Sequence, residues 1–111
     1  MTLIDLLRIM VERKASDLHL IAGQHPAFRV HGELVPYTEV EKFTPAALKE
    51  FVYSVLTIHQ VSMFEGDPAS RNELDFGYGV PGVGRFRFNV HVSRGSVAAS
   101  IRSAMTSWRV P

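Results

Sequence analysis

From Gly84 to Ser93 the chain reads Gly-Arg-Phe-Arg-Phe-Asn-Val-His-Val-Ser, an unbroken alternation of polar and apolar residues. An extended strand sends successive side chains to opposite faces, so Phe86, Phe88, Val90 and Val92 are expected on one side and Arg85, Arg87, Asn89 and His91 on the other. The apolar side calls for a core. The polar side collects two guanidiniums, an amide and an imidazole, a donor-rich surface suited to a phosphate or a carboxylate.

If Arg94-Gly95 forms a two-residue hairpin loop, Ser93 faces Ser96, Asn89 faces Ser100 and Arg87 faces Arg102. Like charges placed opposite each other on a sheet cost a few tenths of a kcal/mol to about 1 kcal/mol, which suggests a negative third party. Two alternatives stand beside this. Glu73 and Asp75 on the preceding strand could neutralise the arginines diagonally, and a three-residue loop with a bulge would carry Arg102 off the face.

Helical spacing occurs at Leu3, Leu6, Leu7 and Met10, with Thr2 as cap, predicting a helix over about 2–14. Short strands follow at 17–21 and 27–30, the latter joined through His31-Gly32 to 33–37. Thr44-Pro45 opens a second helix with Leu48, Phe51, Val52 and Val55 as its buried stripe, and a Thr57/Gln60 capping box opens a third that stops at Gly66. After a loop at 67–70 come strands at 72–80, 84–93 and 96–103. Strands in contiguous blocks predict an α+β fold, an antiparallel sheet with helices packed on one side. Residues 1–105 form this domain, and the loss of pattern over 106–111, with Trp108 expected to pack on a missing partner, reads as the start of a linker in a longer protein.

Composition narrows function mainly by exclusion. The 111 residues carry 12 basic and 11 acidic side chains, a formal charge of +1, so no broad field favours nucleic acid. No apolar run spans a bilayer, and there is no cysteine for disulfide or thiolate chemistry. The five histidines share no metal-ligand spacing. The glycines from Gly77 to Gly84 join two strands and lack the lysine of a phosphate loop. Nothing here is catalytic apparatus by itself. Asp17 and His19 share one face of the first strand, read either as local hydrogen bonding at the strand entrance or as a docking surface.

The runs Ala15-Ser-Asp-Leu-His-Leu-Ile-Ala-Gly23, Pro26-Ala-Phe-Arg-Val-His-Gly-Glu-Leu34, Glu73-Leu-Asp-Phe76 and Gly84-Arg-Phe-Arg-Phe-Asn89 resemble the N-terminal domain of the type IV pilus retraction ATPases, the PilT family of twitching motility proteins within the secretion ATPase superfamily. The resemblance covers nearly the whole chain. It implies a PAS-like domain ahead of a RecA-like domain that carries the P-loop, in a homo-hexamer on the cytoplasmic side of the inner membrane, acting on the platform protein at the pilus base. It also implies that Arg87 and Arg102, with Arg85 on the same strand, close over the phosphates of ATP, with Mg2+ held in the parent enzyme and no nucleotide bound tightly by this domain alone. A related type II secretion or pilus-assembly ATPase would share these arginines, and a free-standing PAS-like sensory or interaction module is the alternative of another class.

Overall fold

The computed structural model describes residues 1–66 and 72–104. The expected loop at 67–70 and the expected linker at 106–111, with Trp108, lie outside the described residues. Among the described residues there are three helices: α1 (Leu3–Glu12), α2 (Pro45–Tyr53) and α3 (Ile58–Gly66). Six strands accompany them: β1 (Asp17–Leu20), β2 (Ala27–Val30), β3 (Glu33–Pro36), β4 (Leu74–Val80), β5 (Gly84–Ser93) and β6 (Ser96–Ser103).

Each helix starts where its capping chemistry places it. The Thr2 hydroxyl accepts from the Asp5 amide at 3.2 Å while the Asp5 carboxylate accepts from the Thr2 amide at 2.8 Å. Thr44 caps α2 by accepting from the Ala47 amide at 3.1 Å, and Thr57 and Gln60 exchange bonds of 2.9 and 3.1 Å ahead of α3. α1 ends earlier than its expected bound, because Lys14 takes a φ of 56° and turns the chain toward β1. In α2 Leu48 and Val52 are buried, whereas Phe51 and Val55 are only half-buried, Val55 lying past the helix end.

The strands form one antiparallel sheet in the order β3-β2-β1-β6-β5-β4. Two meanders thus meet where β1 pairs with β6 at the centre. Leu3, Leu6, Leu7 and Met10 of α1, Leu48 and Val52 of α2 and Phe64 of α3 share one core with Leu18, Leu20, Phe28, Phe86, Phe88, Val90 and Ile101 of the sheet. All three helices therefore cover the same face. Phe88 is fully buried and stacks on Phe76 at 5.0 Å between ring centroids. Val92 departs from the expected core run: it is 44% exposed, near the hairpin end of β5.

That arrangement leaves the other sheet face to water. Every polar residue of the alternating strand projects there, and among the described residues no helix crosses it. The hairpin register is the one a two-residue loop demands, with Ser93 opposite Ser96, Asn89 opposite Ser100 and Arg87 opposite Arg102. Arg94 at φ 53° and Gly95 at φ 79° both lie in the left-handed region that a type I′ turn requires.

Candidate functional site

Because strands pair residue against residue, side chains on the open face fall into cross-strand rows. One row runs Gly77 on β4, Arg87 on β5, Arg102 on β6, Asp17 on β1 and Arg29 on β2. The adjoining row runs Asp75, Asn89, Ser100, His19 and Ala27. Arg85 lies on the far side of Arg87, opposite Gly79. The three predicted arginines are therefore on one surface, two of them directly opposed.

Their surroundings differ. Arg87 is exposed, and among the described residues no carboxylate lies within ion-pair distance of it or of Arg85. Arg85 lies flat across its neighbour, since a Cβ at Gly79 would come 3.3 Å from the Arg85 Nη1. Arg102 donates through Nε to the Asp17 carboxylate at 3.3 Å, yet its side chain remains 76% exposed. Its terminal amino groups meet no acceptor among the described residues, so the fork of the guanidinium is open to solvent.

Asp17 is the anchor of the row. Its side chain is 14% exposed; one oxygen faces Arg102, and the other accepts from the Ser16 hydroxyl at 2.7 Å and lies 3.7 Å from the Arg29 Nε. Arg29 also donates from Nη1 to the Gly32 carbonyl at 3.1 Å. Burial works to raise the Asp17 pKa, but the Ser16 hydrogen bond and the Arg102 guanidinium outweigh it and hold the carboxyl below the ordinary carboxylate value. His19, half-buried in the next row, is pushed below the ordinary imidazole value chiefly by burial; Asp17 opposes this, and Arg29 and His91 add to it.

The alternative in which Glu73 and Asp75 neutralise the arginines is not met among the described residues. Both carboxylates instead accept from the Asn89 side-chain amide, at 3.1 and 3.2 Å, and the Asn89 carbonyl oxygen accepts from His91 Nδ1 at 2.8 Å. The carboxylate that does reach an arginine of the site comes from the other meander, across the β1–β6 seam. Of the two readings of the first strand, the local one is met: Asp17 accepts hydrogen bonds at the strand entrance and His19 is half-buried, with Asp17 lying between Arg102 and Arg29 in the row. Asp17 and Arg29 were not legible in sequence as members of this site, because nothing local indicates which strand β1 will pair with.

Chemically the row offers donors that an anion could accept from. Three guanidiniums and one carboxylate share it, and among the described residues one fork and one entire guanidinium are without an acidic partner. Such an arrangement suits a phosphate better than a cation. Among the described residues no group of carboxylates and histidines is disposed to hold a metal ion.

No family model matches the chain. It is 33% identical over 102 residues to the type IV pilus ATPase PilU of Pseudomonas aeruginosa, an alignment covering 92% of this chain and 25% of PilU. It is 34% identical over 106 residues to the type IV pilus retraction ATPase PilT of the same organism, covering 93% of this chain and 29% of PilT. A crystal structure of the pilus retraction motor PilT with bound ADP has a TM-score of 0.81 to this chain at 37% identity, covering 93% of this chain and 29% of that one. The chain thus spans between a quarter and a third of the length of the relatives it matches.

Proposed function

Since the chain belongs to the PilT family of type IV pilus ATPases, as an N-terminal domain of that family, we propose that it is the module of a P-loop motor that closes over ATP and supplies arginines to its phosphates. Arg87 and Arg102 are the residues that meet the phosphates, and Arg85 is an auxiliary cation on the same strand. The observation that carries this reading is the direct opposition of Arg87 and Arg102 on an open face, with Arg87 unpaired among the described residues.

Phosphoryl transfer spreads negative charge over the oxygens of the transferred group, and a guanidinium placed against them lowers the barrier with little chemistry of its own. The sheet suits this task as a rigid platform. It holds two guanidiniums at a fixed register, so movement of the whole domain toward or away from a bound nucleotide would deliver or withdraw both together. The P-loop and Mg2+ belong to a RecA-like domain of the same or a neighbouring subunit. The wider setting that goes with this role is a cytoplasmic homo-hexamer of PAS-like and RecA-like domains acting at the inner-membrane base of a pilus, powering retraction.

The reading is tested in two steps. The coding sequence beyond residue 111 should continue into Gly-x-x-x-x-Gly-Lys-Ser/Thr; its absence would remove the motor and leave only a shared fold. In the ATPase that carries the domain, Arg87→Ala should lower kcat by about a thousandfold, the scale of arginine contacts to a transferring phosphoryl group, while the far-ultraviolet circular dichroism of the domain stays unchanged. Undiminished turnover by that variant would refute the role.

A further inference from the structure

We infer that Asp17 is the positioning residue for Arg102, holding its guanidinium by the Nε edge so that the terminal fork faces outward for a phosphate. The inference rests on the reading above, in which Arg102 meets ATP.

Arginine is a poor ligand until something limits its rotamers, since ordering so long a side chain gives up much of its conformational freedom. Arg102 sits near the end of β6 with most of its side chain in solvent. Its contact with Asp17 is made by Nε alone, at 3.3 Å. A carboxylate that gripped the two terminal nitrogens would occupy the fork; this one leaves it open for bidentate recognition of a phosphate.

Asp17 is itself restrained. The strand register puts it directly opposite Arg102, its side chain is largely buried, and the Ser16 hydroxyl fixes the rotation of its carboxylate at 2.7 Å. The depressed carboxyl pKa agrees, keeping the group anionic at neutral pH. Orientation here does not mean cancellation. Arg29 lies 3.7 Å from the other oxygen, so one negative charge is shared between two guanidiniums and the three side chains together remain positive.

A residue that only neutralised Arg102 and one that positioned it affect kinetics differently. Removing a negative charge beside the phosphate site strengthens attraction for nucleotide, so Asp17→Asn should leave KM for ATP unchanged or lower it. Loss of orientation should lower kcat by about tenfold, in line with the loss of a hydrogen bond between charged groups. Asp17→Asn, Arg102→Ala, the double variant and Ser16→Ala are compared in the ATPase that carries the domain, each checked by thermal unfolding. The double variant should be no slower than Arg102→Ala, because Asp17 acts through Arg102. Ser16→Ala should lower kcat by about two- to threefold, and it decides the matter should Asp17→Asn not fold.

Wild-type kcat in a folded Asp17→Asn, whatever its KM, overturns the inference. So does a double variant slower than Arg102→Ala by the full Asp17→Asn factor. If Arg102→Ala itself turns over normally, the phosphate-contact reading falls instead, which separates the two failures.

Discussion

Arg87 and Arg102 face each other directly across β5 and β6, and the only carboxylate within ion-pair reach of either among the described residues is Asp17, on the far side of Arg102. The sheet thus holds two like charges in register with one counter-charge displaced to the flank. A surface selected for stability alone would have placed an acid between them.

The first prediction follows from that opposition. In the isolated domain, Arg87→Gln removes one member of the pair while keeping a side chain of similar length. Stability in urea should rise by roughly 0.3–1 kcal/mol at low ionic strength, and the gain should shrink at 0.5 M salt as screening already weakens the repulsion, since the Debye length there falls to about 4 Å. A loss of stability on this substitution would mean that the two guanidiniums do not repel in the folded state.

The hairpin loop supplies the second. Arg94 holds φ at 53°, a left-handed conformation in which most L-residues are strained by roughly 1–2 kcal/mol, whereas Asn tolerates it. Arg94→Asn should therefore stabilise the domain by about 0.5–1 kcal/mol by thermal or urea unfolding. His31, at φ 51° ahead of Gly32 in the β2–β3 loop, has the same geometry, and His31→Asn should act in the same direction. Unchanged midpoints for both would argue against strain in these turns.

The third concerns pH. The His19 imidazole is held below its ordinary value of 6.5 in the folded state, so the unfolded chain takes up its proton first on acidification. Stability should accordingly be at full strength above about pH 6.5 and decline below it, as protonation of the unfolded histidine begins. Asp17 is also depressed, from 3.8, and its contribution is present above that value and lost as pH falls below it. Two successive losses on descending pH are expected from equilibrium unfolding. His19→Gln should abolish the upper one and leave the lower, and persistence of the upper loss in that variant would assign it to another group.

Much of this architecture was legible in the chain because it is local. The period-two run of β5, the Arg94-Gly95 loop and the Thr2, Thr44 and Thr57 caps each follow from a few adjacent residues, and with them came the register that opposes Arg87 and Arg102. What could not be read is the β1–β6 pairing, which no turn connects and no short-range pattern encodes. Adjacent-strand pairing points to Glu73 and Asp75 as acidic partners, whereas Asn89 donates to both of those carboxylates. Arg29 is illegible as a site member for the same reason. Its membership in the row depends on β1 lying between it and Arg102. The exposure of Val92 depends on what covers that end of β5, which alternation alone does not carry.

The bond between Asp17 and Arg102 joins positions 85 residues apart in the sequence. A ribosome must therefore have released nearly all of this domain before the centre of its sheet can close, and until then Leu18 and Leu20 have no β6 neighbour. Growing chains should pass through a stage with an unfinished sheet edge, a period of dependence on chaperones that a permuted version with β6 placed directly ahead of β1 would shorten.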